Sequence, residues 1–184
     1  MQGRGLAVEL VDPVAAQVGD ARDLPFADNE FDAALLLGPL YHLADARERL
    51  TALTEAARAT RPGGVVFAAA LSRTVVFQAA TLGRKPCMTP ELAQLFEAGT
   101  PIPGGRFPAG RFHTADELAA EVVAVGLELI DVHGIEGPGG SLAEQFPAGD
   151  ESVTDAARAL ARAGSTLPAI RDLSTHLLAV ARVV

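Results

Sequence analysis

An α/β fold built on a mostly parallel sheet is what this sequence predicts, and three observations predict it. Phe31–Leu37 (FDAALLL) and Val65–Leu71 (VVFAAAL) are continuous apolar runs of the kind found in strands buried on both faces. Between them lies a segment with helical spacing and a capped start. Pro62-Gly63-Gly64 then ends that segment and turns the chain. Strand, helix, turn, strand implies a right-handed crossover between parallel neighbours.

Each element follows in order. Leu6–Val11 is a short apolar strand candidate stopped by Asp12-Pro13, and Ala16–Asp20 is a second. Asp45 opens the helix, with Glu48 three residues on as in a capping box. Ala46, Leu50, Leu53 and Ala57 form its core-facing stripe. Residues 72–112 are irregular and punctuated by Pro and Gly, with one helical piece at Pro90–Ala98. An insertion of that length is expected to be a functional lid rather than a mere connector.

Thr114 and Glu117 form a second capping box, followed by Leu118, Val122 and Val125 on one helix face and by Gly126 as its stop. Leu127–Val132 is a strand, Gly137–Gly149 a loop, Ser152–Ala163 a helix ended by Gly164, and His176–Val183 the last strand. No internal repeat or second domain is visible, so residues 1–184 are expected to form a single domain.

Composition narrows the function classes. The chain has 184 residues, 49% apolar and 21% charged, enough to bury a core. Its net charge of −8 argues against a phosphate-backbone partner. One cysteine, Cys87, excludes an internal disulfide framework and a cysteine-based zinc cage. The four histidines lack the short i, i+4 ligand spacing, so no metal is assigned. Neither a signal peptide nor a membrane-length apolar run is present, and the expectation is a cytoplasmic protein with no membrane partner.

The stretch GDARDLPFADNEFDAALLLGPLYHL, with RPGGVVFAAA after the helix, resembles the class I S-adenosylmethionine-dependent methyltransferases. The resemblance runs over nearly the whole chain, although its specific motifs lie between Glu9 and Ala70. It implies a Rossmann-like sheet whose last strand, HLLAVARV, inserts antiparallel beside the strand that ends the parallel half. It also implies S-adenosyl-L-methionine as cofactor and methyl transfer to a small-molecule acceptor.

Ligands of open α/β sheets bind outside the carboxyl ends of the strands, and that rule selects the candidate residues. By the resemblance, Asp12 accepts hydrogen bonds from the two ribose hydroxyls, as an acceptor-only carboxylate can. Asp20 faces the adenine amino group, and the N–H of Ala21 meets a ring nitrogen. Leu37 and Gly38 end the FDAALLL strand, where a glycine lets the backbone approach a ligand. Tyr41 and His42 follow in the loop that faces substrate or cofactor. An imidazole there is suited to take a proton from a hydroxyl or amine nucleophile, although a histidine near a helix start also serves a purely structural role. A structural role is likewise expected of His113, His133 and His176.

The chain departs from the family at its front. A complete member opens with a strand, a glycine-rich turn and a helix whose N-terminus adds partial positive charge. Here MQGRG leads at once into LAVELVD, and Gly3-Arg4-Gly5 has neither a strand before it nor a helix after it. Only three residues separate Asp12 from Ala16, too few for a parallel crossover. The expectation is therefore a sheet truncated at its N-terminal edge, marginally stable, with self-association through that edge. Two alternatives stay open: a methyltransferase-like remnant or interaction domain without cofactor, and a nicotinamide-dependent oxidoreductase, which would also need a glycine-rich turn.

Overall fold

The computed structural model describes residues 15–77, 89–105, 108–140 and 151–184. Leu6–Val11, Asp12, Cys87 and Gly3-Arg4-Gly5 lie outside the described residues.

Five strands form one sheet: β1 (Phe31–Leu36), β2 (Thr60–Ser72), β3 (Phe112–His113), β4 (Glu128–Gly134) and β5 (His176–Arg182). The order is β1-β2-β5-β4, and β3 pairs with β2. β1 and β3 run parallel to β2, whereas β5 is antiparallel to both β2 and β4. Leu71 pairs with His176 of β5 and with Phe112 of β3, so β3 extends the same edge of β2 that β1 occupies. The mostly parallel sheet with an inserted antiparallel last strand is as expected.

Helix α1 (Pro39–His42) and helix α2 (Ala46–Ala59) lead from β1 to β2. Helix α3 (Pro90–Ala98) lies in the insertion, and α4 (Ala115–Ala124) precedes β4. Helices α5 (Glu151–Gly164) and α6 (Pro168–Arg171) lie between β4 and β5. The main core is one-sided: Ala52, Leu53 and Ala56 of α2 and Leu118 and Val122 of α4 pack on Leu36, Val66, Ala68, Val132, Leu177 and Ala179. Every second residue of each strand faces those helices, as the pleat dictates.

Five expectations are corrected. Ala16–Asp20 is no strand; its only pairing is the isolated bridge Asp20–Asp23, closed by the Asp23 N–H on the Asp20 carbonyl at 3.1 Å. Phe31–Leu37 is not buried on both faces. Among the described residues β1 has a strand neighbour on one edge only, and Leu35 and Leu37 are 64% and 55% exposed.

Pro62-Gly63-Gly64 does not end the segment but sits inside β2 as a bulge: Phe31 pairs with Thr60 and Ala33 with Val65. Gly63 takes φ +78°, and a side chain at Gly64 would come within 2.7 Å of the Asp32 carbonyl oxygen. The α2 stripe is shifted to Arg49, Ala52, Leu53, Ala56 and Ala59, leaving Ala46 exposed and Leu50 half-buried. Asp45 caps the Arg47 N–H at 2.7 Å, and Glu48 pairs with Arg22 instead of closing a capping box.

The rotation of α2 puts a charge in the core. Arg49 is 4% exposed, and its guanidinium donates to Glu121 of α4 at 2.7 Å and to the Leu43 and Ala44 carbonyls at 3.0 and 2.8 Å. Fully buried His113 lies with Nε2 3.4 Å from the same carboxylate. Burial alone pushes the Glu121 carboxyl up, but His113 and Arg49 outweigh it and hold it at about 2.

Removing one partner leaves a buried charge uncompensated, so Arg49→Ala is expected to cost about 3 kcal/mol in a urea titration. A carboxyl held below its ordinary 4.5 contributes stability above that pH and loses it as pH falls toward 2. Glu121→Gln should therefore flatten the acid limb of the stability profile between those values.

Candidate functional site

Two pieces of chain are strapped against β1 and β2, the first along β1 and the second at the carboxyl end of β2. The first is residues 20–28. Glu55 of α2 accepts from the Leu24 N–H at 2.9 Å, and Arg58 donates to the Leu24 and Phe26 carbonyls at 3.1 and 2.8 Å and to Asp28 at 2.7 Å. Arg22 pairs with Glu48 on the same helix. Contacts with Arg58 and the Leu24 N–H hold the Glu55 carboxyl at about 2. Phe26 and Phe31 meet edge to face, with ring centres 4.9 Å apart.

Strapped in this way, residues 20–26 form one wall of an apolar cleft of about 290 Å³. The other wall is β1 itself, from Phe31 to Leu36, continued by Pro39, and Ala52 and Ala59 of α2 complete the cleft. Ala21 lines this cleft, and its N–H makes no hydrogen bond among the described residues. Asp20 stands beside it with its carboxylate forked by Arg22, which donates from its backbone N–H at 2.9 Å and from its guanidinium at 2.6 Å. The Arg22 hydrogen bonds hold the Asp20 carboxyl at about 2.

Leu37 and Gly38 follow directly between the cleft residues Leu36 and Pro39. Gly38 has φ −173°, and a Cβ there would make only an ordinary contact with the Tyr41 hydroxyl at 3.8 Å, so its backbone needs no glycine. Tyr41 donates its hydroxyl to the Leu37 carbonyl at 3.0 Å and packs its ring on His42, centre to centre 4.8 Å. His42 is exposed. Four of the candidates, Ala21, Leu37, Gly38 and Tyr41, thus gather around one strand end, and Asp20 flanks them.

The second strap is the insertion. Leu71, Val76, Leu92, Leu95 and Phe112 form a small separate core, with Tyr41 packed against it. Arg73, just after β2, donates to the Glu97 carbonyl at 2.7 Å, to the Phe112 carbonyl at 3.3 Å and to Glu117. Glu117 also closes the predicted capping box with Thr114 and accepts from Arg111 at 2.8 Å. One carboxylate therefore caps α4 and anchors the end of α3.

Gly110 sits at φ +105° against the Tyr41 carbonyl, which accepts from the Arg111 N–H at 3.3 Å. Sequence reasoning missed Arg22, Arg73 and Gly110. The spacing Asp-x-Arg was the available signal for the first, and the glycine inside RFPAGRF for the last. Among the described residues no group of three or more His, Cys, Asp or Glu is placed to hold a metal, and no helix is long and apolar enough to cross a membrane.

Comparison with known proteins bears on the family and the fold. The family model described as a methyltransferase domain matches residues 3–68. The chain is 43% identical over 63 residues to the demethylmenaquinone methyltransferase of Corynebacterium glutamicum, covering 34% of this chain and 26% of that protein. It is 45% identical over 58 residues to the enzyme of the same name from Paenarthrobacter aurescens, covering 32% and 22%. The match thus spans about a quarter of the length of these curated relatives. A solved S-adenosylmethionine-dependent methyltransferase from Methanosarcina mazei shares the fold, with TM-score 0.51 and 19% identity over 90% of this chain and 65% of that one.

A methyl group at Gly110 would lie 1.9 Å from the Tyr41 carbonyl oxygen, so Gly110→Ala must separate the insertion from α1. With one tyrosine and no tryptophan in the chain, intrinsic fluorescence reports on this contact alone. The substitution is expected to shift tyrosine emission and to lower stability by roughly 2 kcal/mol.

Proposed function

We propose that this chain, a member of the class I S-adenosylmethionine-dependent methyltransferase family by its matched segment and its fold, binds S-adenosyl-L-methionine at the carboxyl end of β1 and directs its methyl group to a small-molecule acceptor. One observation carries the reading: an apolar cleft is walled by Leu24, Leu36 and Pro39, and it is lined by Ala21, whose backbone N–H makes no hydrogen bond among the described residues. A purine needs such flat apolar walls and a donor for a ring nitrogen. The residues present therefore fit the adenine end of the cofactor. In this reading Asp20, kept ionised by Arg22, accepts from the exocyclic amine. Asp12 is assigned the ribose hydroxyls by sequence alone.

The cofactor supplies an activated methyl group, so the chain's work is alignment rather than covalent catalysis. Tyr41, tied to the Leu37 carbonyl, fixes the loop after β1 and places His42 beside it. In this reading His42 takes the proton released by the acceptor, and the insertion, seated on Tyr41, closes the acceptor side. The curated relatives act on a demethylmenaquinone by name, which supports a small organic acceptor. The outer edge of β1, unpaired among the described residues, supports association of two copies.

A second reading, a member that keeps the fold without cofactor, is favoured by the Arg22 fork that already occupies both Asp20 oxygens. Calorimetric titration of the folded chain with S-adenosylhomocysteine separates the two. Micromolar binding, about −8 kcal/mol, weakened at least about tenfold by Asp20→Ala, is the expected result. A folded chain that takes up no ligand establishes the second reading, and binding unmoved by Asp20→Ala removes Asp20 from the site.

A further inference from the structure

The sheet face opposite α2 and α4 carries a second concave site. Here α5 crosses β4 and β5 over a cavity of about 380 Å³ lined by His133, Ile135, Arg162, Ser165, Leu178 and Val180. Leu178 and Val180 alternate with Leu177, Ala179 and Ala181, which are buried in the main core, so the cavity lies on the other side of the sheet from it.

Its chemistry is divided. The floor is Leu178, Val180 and Ile135. The rim carries Arg162, whose guanidinium makes no hydrogen bond or ion pair among the described residues. That is unusual in this acidic chain, where Arg22, Arg49, Arg58, Arg73, Arg171 and Arg182 each hold a carboxylate. Beside it His133 is oriented by a 3.1 Å hydrogen bond between its Nδ1 and the Ser165 hydroxyl, which leaves Nε2 unused.

The apolar floor also continues past the cavity. Val180 is in register with Phe67 of β2, and Phe67 with Leu35 of β1, a row of roughly 10 Å at two strand spacings. Leu35 is exposed along this row. On β4, Asp131 stands opposite Val180 and turns an oxygen to the Val132 N–H at 2.8 Å. Its charge disfavours an anion at that point and leaves Arg162 as the place for one.

We propose that this cavity binds an amphipathic carboxylate, its head group on Arg162 and His133 and its chain along Leu178, Val180 and Phe67. An arginine fork matches a carboxylate bidentately, and an apolar row left partly in water rewards an alkyl chain but not a polar one. The head-group site at Arg162 shares no lining residue with the cleft at Ala21, which the apolar row reaches only at Leu35, and it does not depend on methyl transfer.

The test titrates the full chain calorimetrically with sodium decanoate and with decanol, while methyl resonances of Ile135, Leu178 and Val180 are followed by NMR. Decanoate is expected to bind saturably, about tenfold more tightly than decanol, with shifts at those three residues. Arg162→Gln, on an exposed helix position, should bring decanoate down to the decanol level and leave decanol unchanged. Equal affinity for the two probes overturns the proposal, as does decanoate binding indifferent to Arg162→Gln. Absence of saturable binding, or shifts confined to the Ala21 cleft, does so as well.

Discussion

The fold hangs on the guanidinium of Arg49. Its hydrogen bonds to Glu121 join α2 to α4, the two helices that cover the sheet's buried face. Its other hydrogen bonds hold the Leu43 and Ala44 carbonyls, which follow directly on α1, the short helix carrying Tyr41 and His42. The helix packing and the position of the loop after β1 are therefore one constraint. A buried arginine is tolerable only because each side of it finds an acceptor: the carboxylate of one helix and the frayed end of another. Apolar contacts could hold α2 on α4 as firmly, but they would not at the same time orient those carbonyls.

The straps around the site extend this logic outward. Glu55 and Arg58 on the exposed side of α2 fix residues 24–28, much as Arg49 on its buried side fixes residues 43–44. Glu117 does the same for the insertion, serving α4 as a cap and Arg73 and Arg111 as an anchor. Loops with little regular structure are thus positioned by arginine–carboxylate pairs mounted on helices. Such pairs are directional, and this makes them better at placing backbone than at adding stability.

What was legible in the sequence was whatever depends on local spacing. Thr114 and Glu117 announced their capping box, Pro90–Ala98 its helix and HLLAVARV its strand, because a cap, a period or an apolar run is written in consecutive residues, whereas the antiparallel direction of that strand came from the family resemblance. The α2 stripe was misplaced because Arg49, read as polar, is buried by a partner 72 residues away. FDAALLL looked doubly buried because an apolar run does not say how many neighbours will cover it. For the site, GDARD pointed to Asp20 and Ala21, but their surroundings depend on Glu48, Glu55 and Arg58, which no local motif connects to them.

The open face of the sheet bears on how the chain responds to temperature. Leu35, Ile130 and the half-buried Phe67 and Val180 keep apolar surface in water while the protein is folded. Unfolding hydrates that surface no further, so the heat capacity rises by less than the roughly 12–15 cal/mol/K per residue usual for globular proteins. The curvature of stability against temperature follows from that increment. This chain should accordingly have a broad, shallow stability curve with a weakly temperature-dependent unfolding enthalpy, and anything that covers the face, whether lipid or protein, would sharpen it.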